Sequence, residues 1–276
     1  MHLLRCLLPV CLLFSASCRV IELGSTAQEI PTDSTAQTST EVIPEPAEQT
    51  FPYRPSRSRT HDLLHTRLEV QPRLSNKTLE GEALLHLKPY FYPQNHLVLD
   101  AKGFEIHRVS MPDEAGAAGE ELEYIYNGSQ LKIDLGRSFS RDEDYFVSIS
   151  YTARPYELAS GGSAAISENR GLYFVGVDSL RFGQQPVQVW TQGETEAASC
   201  WFPTIDAPNE RTTQEMFITV DERFQTLSNG ILVYSQHNAD STRTDYWKMD
   251  QSHAPYLFMM AIGEYARVEE EWRGKE

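Results

Sequence analysis

From about residue 62 the sequence settles into short alternating runs of apolar and polar residues, cut by turn signals. That rhythm bounds what the chain can become. Leu64, Thr66, Leu68 and Val70 fall on one side of the first run and His65, Arg67 and Glu69 on the other, the period of two that a half-buried strand requires. Pro72 ends it. Similar runs occupy 81–87, 97–99, 106–111, 123–126, 131–135, 145–151, 172–175, 187–191, 216–220, 226–227, 231–235, 243–249, 256–262 and 265–269. Lys102-Gly103, the glycine-rich stretch 113–120, Ser140-Arg141-Asp142 and the loop at Gly161-Gly162-Ser163 separate them. Asn127-Gly128, between two short alternating runs, predicts a two-residue hairpin. No long helical periodicity and no internal repeat interrupts the pattern. The expected fold is all-β, an antiparallel β-sandwich or saddle.

With 276 residues, 40% of them hydrophobic, the chain can bury one large core or two small ones. Its formal charge is -15 and it has no Lys/Arg-rich run. A nucleic-acid partner is not expected, because a phosphate footprint needs a basic patch. Residues 1–17 read as a signal peptide: one Arg, an apolar run, then small residues. Ser15-Ala16-Ser17-Cys18 resembles a bacterial lipobox, with Cys18 as the lipidated residue. The same small residues would serve ordinary signal peptidase near Ser17; the Cys placed directly after them favours the lipobox. Residues 18–58 are rich in Thr, Ser, Pro, Glu and Gln and read as a disordered tether with a reach of roughly 30–38 Å. The expectation is an exported protein, lipid-anchored to the bacterial cell envelope at the outer membrane or cell surface. Cys6 and Cys11 leave with the signal and, with Cys18 lipidated, Cys200 is the one thiol left, so no disulfide framework is expected. Between Ser199 and Trp201 it reads as a buried, inert thiol.

The densest chemistry lies in Val189 to Pro208, V-W-T-Q-G-E-T-E-A-A-S-C-W-F-P-T-I-D-A-P. Val189, Trp190 and Thr191 are strand formers. If the strand runs on, Gln192 and Glu194 share a face roughly 6.5–7 Å apart. Gly193 between them lets a backbone or ligand approach closely. An amide and a carboxylate pointing the same way suit capture of a small cation such as a free amine. A charged pair around a strand glycine is also the ordinary make-up of a solvated edge.

This stretch resembles the zinc aminopeptidases of the aminopeptidase N type, whose N-terminal domain carries a pattern like T-Q-x-E-x-x-x-A-R-x-W-F-P-x-x-D-x-P. Thr191, Gln192, Glu194, Trp201, Phe202, Pro203, Asp206 and Pro208 match it. Gly171-Leu172-Tyr173 resembles the family's G-L-Y run, Ser228-Asn229-Gly230 its S-N-G, and Pro255-Tyr256-Leu257 through Gly263-Glu264-Tyr265 its P-x-Y-L segment. The departure is Ala198-Ser199-Cys200, where the family pattern carries an Arg. The resemblance implies an aminopeptidase N-like N-terminal β domain over 59–272. It implies that Glu194 binds the α-ammonium at a peptide N-terminus, that Gln192 lines the adjacent side-chain pocket, and that zinc serves the full-length enzyme.

The chain contains no H-E-x-x-H, so the catalytic zinc domain is expected to be absent from it, whether by fragmentation or truncation. His61 and His65 have zincin spacing but stand at the start of an alternating run, where residues four apart lie roughly 13 Å from each other. The family's third ligand would fall at Leu84. No metal ligand and no catalytic residue is therefore assigned, and this chain alone is expected to be inactive. The competing expectation is a non-catalytic, lipid-anchored cell-surface β-sandwich that binds a protein or glycan.

Overall fold

The computed structural model describes residues 56–112, 119–159, 168–178, 185–268, 271 and 274. The signal peptide, Cys18, nearly all of the tether and the 161–163 loop lie outside these residues. The strands are β1 (His61–Arg73), β2 (Thr78–Pro89), β3 (Gln94–Asp100), β4 (Phe104–Met111), β5 (Glu120–Glu121), β6 (Tyr124–Tyr126), β7 (Gln130–Phe139), β8 (Tyr145–Ala153), β9 (Leu172–Val175), β10 (Gln188–Thr191), β11 (Thr212–Asp221), β12 (Gln225–Ser228), β13 (Ile231–His237), β14 (Thr242–His253) and β15 (Met260–Gly263). The all-β expectation holds.

The strands form three sheets. An eight-stranded sheet runs β13-β14-β11-β1-β2-β8-β4-β5, a four-stranded sheet β12-β15-β10-β9 and a three-stranded sheet β3-β7-β6. Pairing is antiparallel except where β1 and β11 meet in parallel, His65 beside Thr213 through Val70 beside Ile218. Alternation along each strand selects its buried face. In β7, Leu131, Ile133 and Leu135 are buried while Lys132 and Asp134 are exposed. One apolar cluster takes residues from all three sheets, among them Leu68, Leu85, Leu99, Ile133, Ile149, Ile218, Phe202 and Met260. Burying each such side chain stabilises the fold by about 1.5–3 kcal/mol.

Several sequence expectations are corrected. The β1–β2 register shifts between Leu63 and His65, a bulge that changes the phase of the alternation. Leu63 therefore joins Leu68 and Val70 inside, and Leu64 leaves that face. The hairpin at Asn127-Gly128 forms with a two-residue turn, one position on: Tyr126 faces Leu131 and the Asn127 N–H donates to the Gln130 carbonyl at 3.2 Å, so Gly128 and Ser129 turn the chain. The Asn127 side-chain oxygen accepts bonds from the Ser129 and Gln130 N–H groups and the Ser129 hydroxyl, holding the turn. The run 256–262 divides into a 3-10 turn, Pro255–Leu257, and β15. Tyr265–Val268 form no strand. The chain folds back so that the Tyr265 ring lies over Gly263, where a β-carbon would sit 2.7 Å from it.

Candidate functional site

β10 lies between β9 and β15 in the four-stranded sheet, with Trp190 beside Tyr173 on one side and Ala261 on the other. Its end is fastened by Thr191, whose hydroxyl oxygen accepts the Met260 N–H at 2.9 Å. The strand stops there, so the condition under which Gln192 and Glu194 would share a strand face is not met. The Gln192 N–H donates to the Gly171 carbonyl at 2.9 Å. Gly193 then presses on the backbone of Tyr256 so closely that a β-carbon would lie 2.2 Å from the Tyr256 oxygen. The predicted close approach at Gly193 is thus made by backbone. The Gly193 carbonyl accepts the Ala197 N–H at 2.9 Å, closing a turn over Glu194–Ala197.

The two candidate residues lie at the start of this turn rather than on one face of a strand. Gln192 is half-buried and Glu194 exposed. Among the described residues neither side chain has a hydrogen-bond or ion-pair partner. Glu194 thus offers a carboxylate open to a cation from solvent, on a backbone fixed at both sides.

All the segments that carry the resemblance except Gly263-Glu264-Tyr265, which lies beside Gln188 at the other end of β10, gather around this turn. Gly171 has φ +70, and a β-carbon on it would lie 2.1 Å from the Ala197 carbonyl oxygen. The Asn229 amide donates to the Leu257 carbonyl at 3.0 Å and accepts the Met259 N–H at 2.7 Å, which braces the loop carrying Tyr256. The Ser228 hydroxyl donates to the Met259 carbonyl at 2.7 Å. Trp201 and Phe202 are fully buried, and Phe202 stacks on Phe258 with ring centroids 5.0 Å apart.

Asp206 supports the turn from below. Its carboxylate accepts the Ser199 N–H at 2.9 Å and the Ser199 hydroxyl at 2.7 Å. Burial pushes its carboxyl above the usual range, against these two bonds. Among the described residues Asp206 has no ion pair; where the family pattern has an Arg, Ser199 supplies neutral donors. Cys200 is a buried free thiol, as expected, and burial pushes it up to about 11.

Sequence reasoning missed Lys102. Its ammonium donates to the Glu196 carbonyl at 2.5 Å, and its N–H to the Ser199 carbonyl at 2.7 Å. Lys102-Gly103 carried only a turn signal, and nothing local ties it to a segment ninety-odd residues away. A second feature is the stack of Tyr173 on Trp190, centroids 4.5 Å apart. With Ala261 and Leu227 these rings continue across all four strands in register. Trp190 and Leu227 are 36% and 48% exposed, so this row is an uncovered apolar band beside the turn.

His61 and His65 are not a metal pair. The β1 bulge puts them on opposite faces: His61 is buried, and His65 shares a 2.7 Å hydrogen bond with the Thr213 hydroxyl across the outer face. Among the described residues no group of three or more His, Cys, Asp or Glu could hold a metal ion. The described residues do not fit a zinc site.

Residues 60–257 match the model of the peptidase M1 N-terminal domain. The transcription initiation factor TFIID subunit 2 of Danio rerio is 25% identical over 202 residues, covering 63% of this chain and 16% of that protein. An M1 zinc metallopeptidase variant from Deinococcus radiodurans, crystallised with a Tyr-Ser-Ala substrate, aligns with a TM-score of 0.61 at 16% identity, over 74% of this chain and 43% of that one. Native yeast LTA4 hydrolase aligns with a TM-score of 0.60 at 17% identity, over 78% of this chain and 30% of its own. The chain thus spans about a sixth of the curated relative and less than half of these solved structures. With the family match reaching from residue 60 to residue 257 of 276, and the solved relatives sharing its fold, the chain belongs to the peptidase M1 N-terminal domain family.

Proposed function

We propose that this chain is the substrate-recognition domain of an exported, lipid-anchored zinc metallo-aminopeptidase, and that Glu194 binds the α-ammonium of the peptide with Gln192 beside the first side chain. The observation that carries the reading is the unpaired, exposed Glu194 carboxylate on a turn held by Gly171, Tyr256, Lys102 and Ser199. A peptide α-amine, with pKa near 8, is largely protonated at neutral pH. A fixed carboxylate recognises that charge and so measures distance from the N-terminus. The solved relative crystallised with a Tyr-Ser-Ala substrate is an M1 zinc metallopeptidase, which supports peptide as the ligand class. Zinc and the attacking water belong, in this reading, to a catalytic domain outside the described residues. The apolar band from Tyr173 to Leu227 is the surface such a domain would cover. Cys18 would hold the assembly at the cell envelope.

A second reading is favoured by one observation. A relative of this domain is a transcription initiation factor subunit by name rather than a peptidase, and fold alone does not fix activity. In that reading the chain is a non-catalytic, lipid-anchored cell-surface binding module. The two separate on the full-length gene product, assayed on a free-amine peptide with and without a zinc chelator. Turnover that chelation abolishes supports the enzyme. A folded protein without turnover supports the module.

A further inference from the structure

The connection from β2 to β3 reads Pro89-Tyr90-Phe91-Tyr92-Pro93, three aromatic residues between two prolines. Phe91 is 61% exposed and Tyr92 78%. The tip is built, not loose. The Arg59 guanidinium lies 4.4 Å from the Tyr90 ring centroid, and the Phe91 ring meets Tyr90 edge-on at 4.4 Å. The Gln94 side-chain amide donates to the Tyr92 carbonyl at 3.2 Å. The prolines fix φ at both ends. Tyr90 is therefore a clamped foot, and the two outer rings stand in water with nothing over them among the described residues.

The position of the tip says what covers it. The Tyr90 N–H donates to the Thr60 carbonyl at 2.9 Å, so the tip sits beside the point where the chain enters β1. Fifty-five residues precede the described region, beginning with the apolar leader and Cys18. We propose that Tyr90–Tyr92 is a membrane-interface foot, with Phe91 and Tyr92 entering the headgroup–acyl boundary of the bilayer that holds Cys18. This rests on the anchored reading above. Phenyl and phenol rings favour that boundary, where one end is apolar and the other wet.

The charges at this end point to insertion of rings rather than to attraction by anionic lipid. Arg57 pairs with Asp100, Arg59 with Glu210 and Asp62, and Lys88 with Asp62 at 3.8 Å. Leu87 pairs with Tyr145 and Gln94 with Phe139, which brings the turn carrying Arg141, Asp142, Glu143 and Asp144 alongside. These groups sum to a slight negative charge, so anionic lipid does not attract this end and the contact does not depend on salt-screened attraction. Two rings suffice because a tether of this length keeps the tip at high effective concentration near the surface.

The test uses the full chain, reconstituted in phosphatidylcholine vesicles, with Phe91→Trp compared with Ile125→Trp. Ile125, on β6, is 72% exposed and serves as the surface control. Difference emission against the unsubstituted chain removes its own tryptophans. The foot predicts that Phe91→Trp shifts to the blue and is quenched at least about twofold more than Ile125→Trp by lipids brominated near the headgroup, unchanged in about 0.5 M salt. Vesicles that float with protein while Phe91→Trp behaves as the control overturn the foot and leave the anchor standing. Protein that does not float overturns both. A blue shift that grows with protein concentration without lipid assigns the tip to a second copy instead, and quenching lost in salt assigns it to charge; each overturns the proposal.

Discussion

A methyl group at residue 193 would stand 2.2 Å from the Tyr256 carbonyl oxygen, closer than any unstrained contact. Gly193→Ala must therefore push the turn away from the Pro255–Leu257 segment. We expect it to destabilise the domain by about 1–3 kcal/mol and to displace Glu194; a urea midpoint unchanged from the parent would show that the contact is relaxed in solution. The requirement for glycine here was legible in the sequence, but its cause was not, because Tyr256 lies far along the chain. His61 makes a different prediction. It is 2% exposed, and burial pushes its imidazole down from 6.5 to about 4. Its Nε2 has no hydrogen-bond partner. The unfolded chain takes up this proton below pH 6.5 and the folded chain resists it until about pH 4. The stability tied to His61 is thus complete above pH 6.5 and is lost as pH falls toward 4, by about 3 kcal/mol in all. Carboxylates titrate in the same window, so the readout is the difference between the parent and His61→Phe. The gap between their unfolding free energies should shrink or reverse in favour of the variant between pH 7 and 4.5; a pH-independent gap would contradict the account.

Strand positions followed from alternation because a half-buried strand has one solution to the period of two. What alternation could not give was pairing. The parallel contact of β1 with β11 joins segments nearly 150 residues apart, and no local pattern encodes it. The β1 bulge was hidden too: Leu63, Leu64 and His65 read equally well in either phase until β2 fixes the register. The same limit applied at the end of β10, where the strand-forming run stops at Thr191 because the backbone of Tyr256 occupies the space beside Gly193. In the four-stranded sheet the row Tyr173, Trp190, Ala261 and Leu227 belongs to strands buried on one face only. A further prediction concerns this row. Leu227→Ser removes an apolar side chain of which about half faces water, so it should leave the unfolding free energy within about 1 kcal/mol of the parent while reducing self-association in sedimentation. A large loss of stability with unchanged association would mean that the row is core and not a docking band.

At the scale of the whole molecule, a single apolar cluster binds three sheets, and the motif segments of 171–257 gather around one turn. Order and identity of those segments were legible in the sequence. Their convergence on Gln192–Glu194, through Lys102 and the Asn229 brace, required the fold. In the proposed reading recognition sits at this turn and chemistry in another domain, and Glu194 reads the charge of a peptide N-terminus. Glu194→Gln keeps the shape of the side chain and removes its charge. A charge-assisted hydrogen bond of this kind is worth about 1.5–3 kcal/mol. In the full-length enzyme of that reading, kcat/KM of Glu194→Gln on a free-amine peptide should fall roughly tenfold to a few hundredfold. Zinc content should be unchanged and the loss on an N-acetylated peptide small; full efficiency of Glu194→Gln on free-amine peptides would contradict the account and leave Glu194 an ordinary exposed carboxylate.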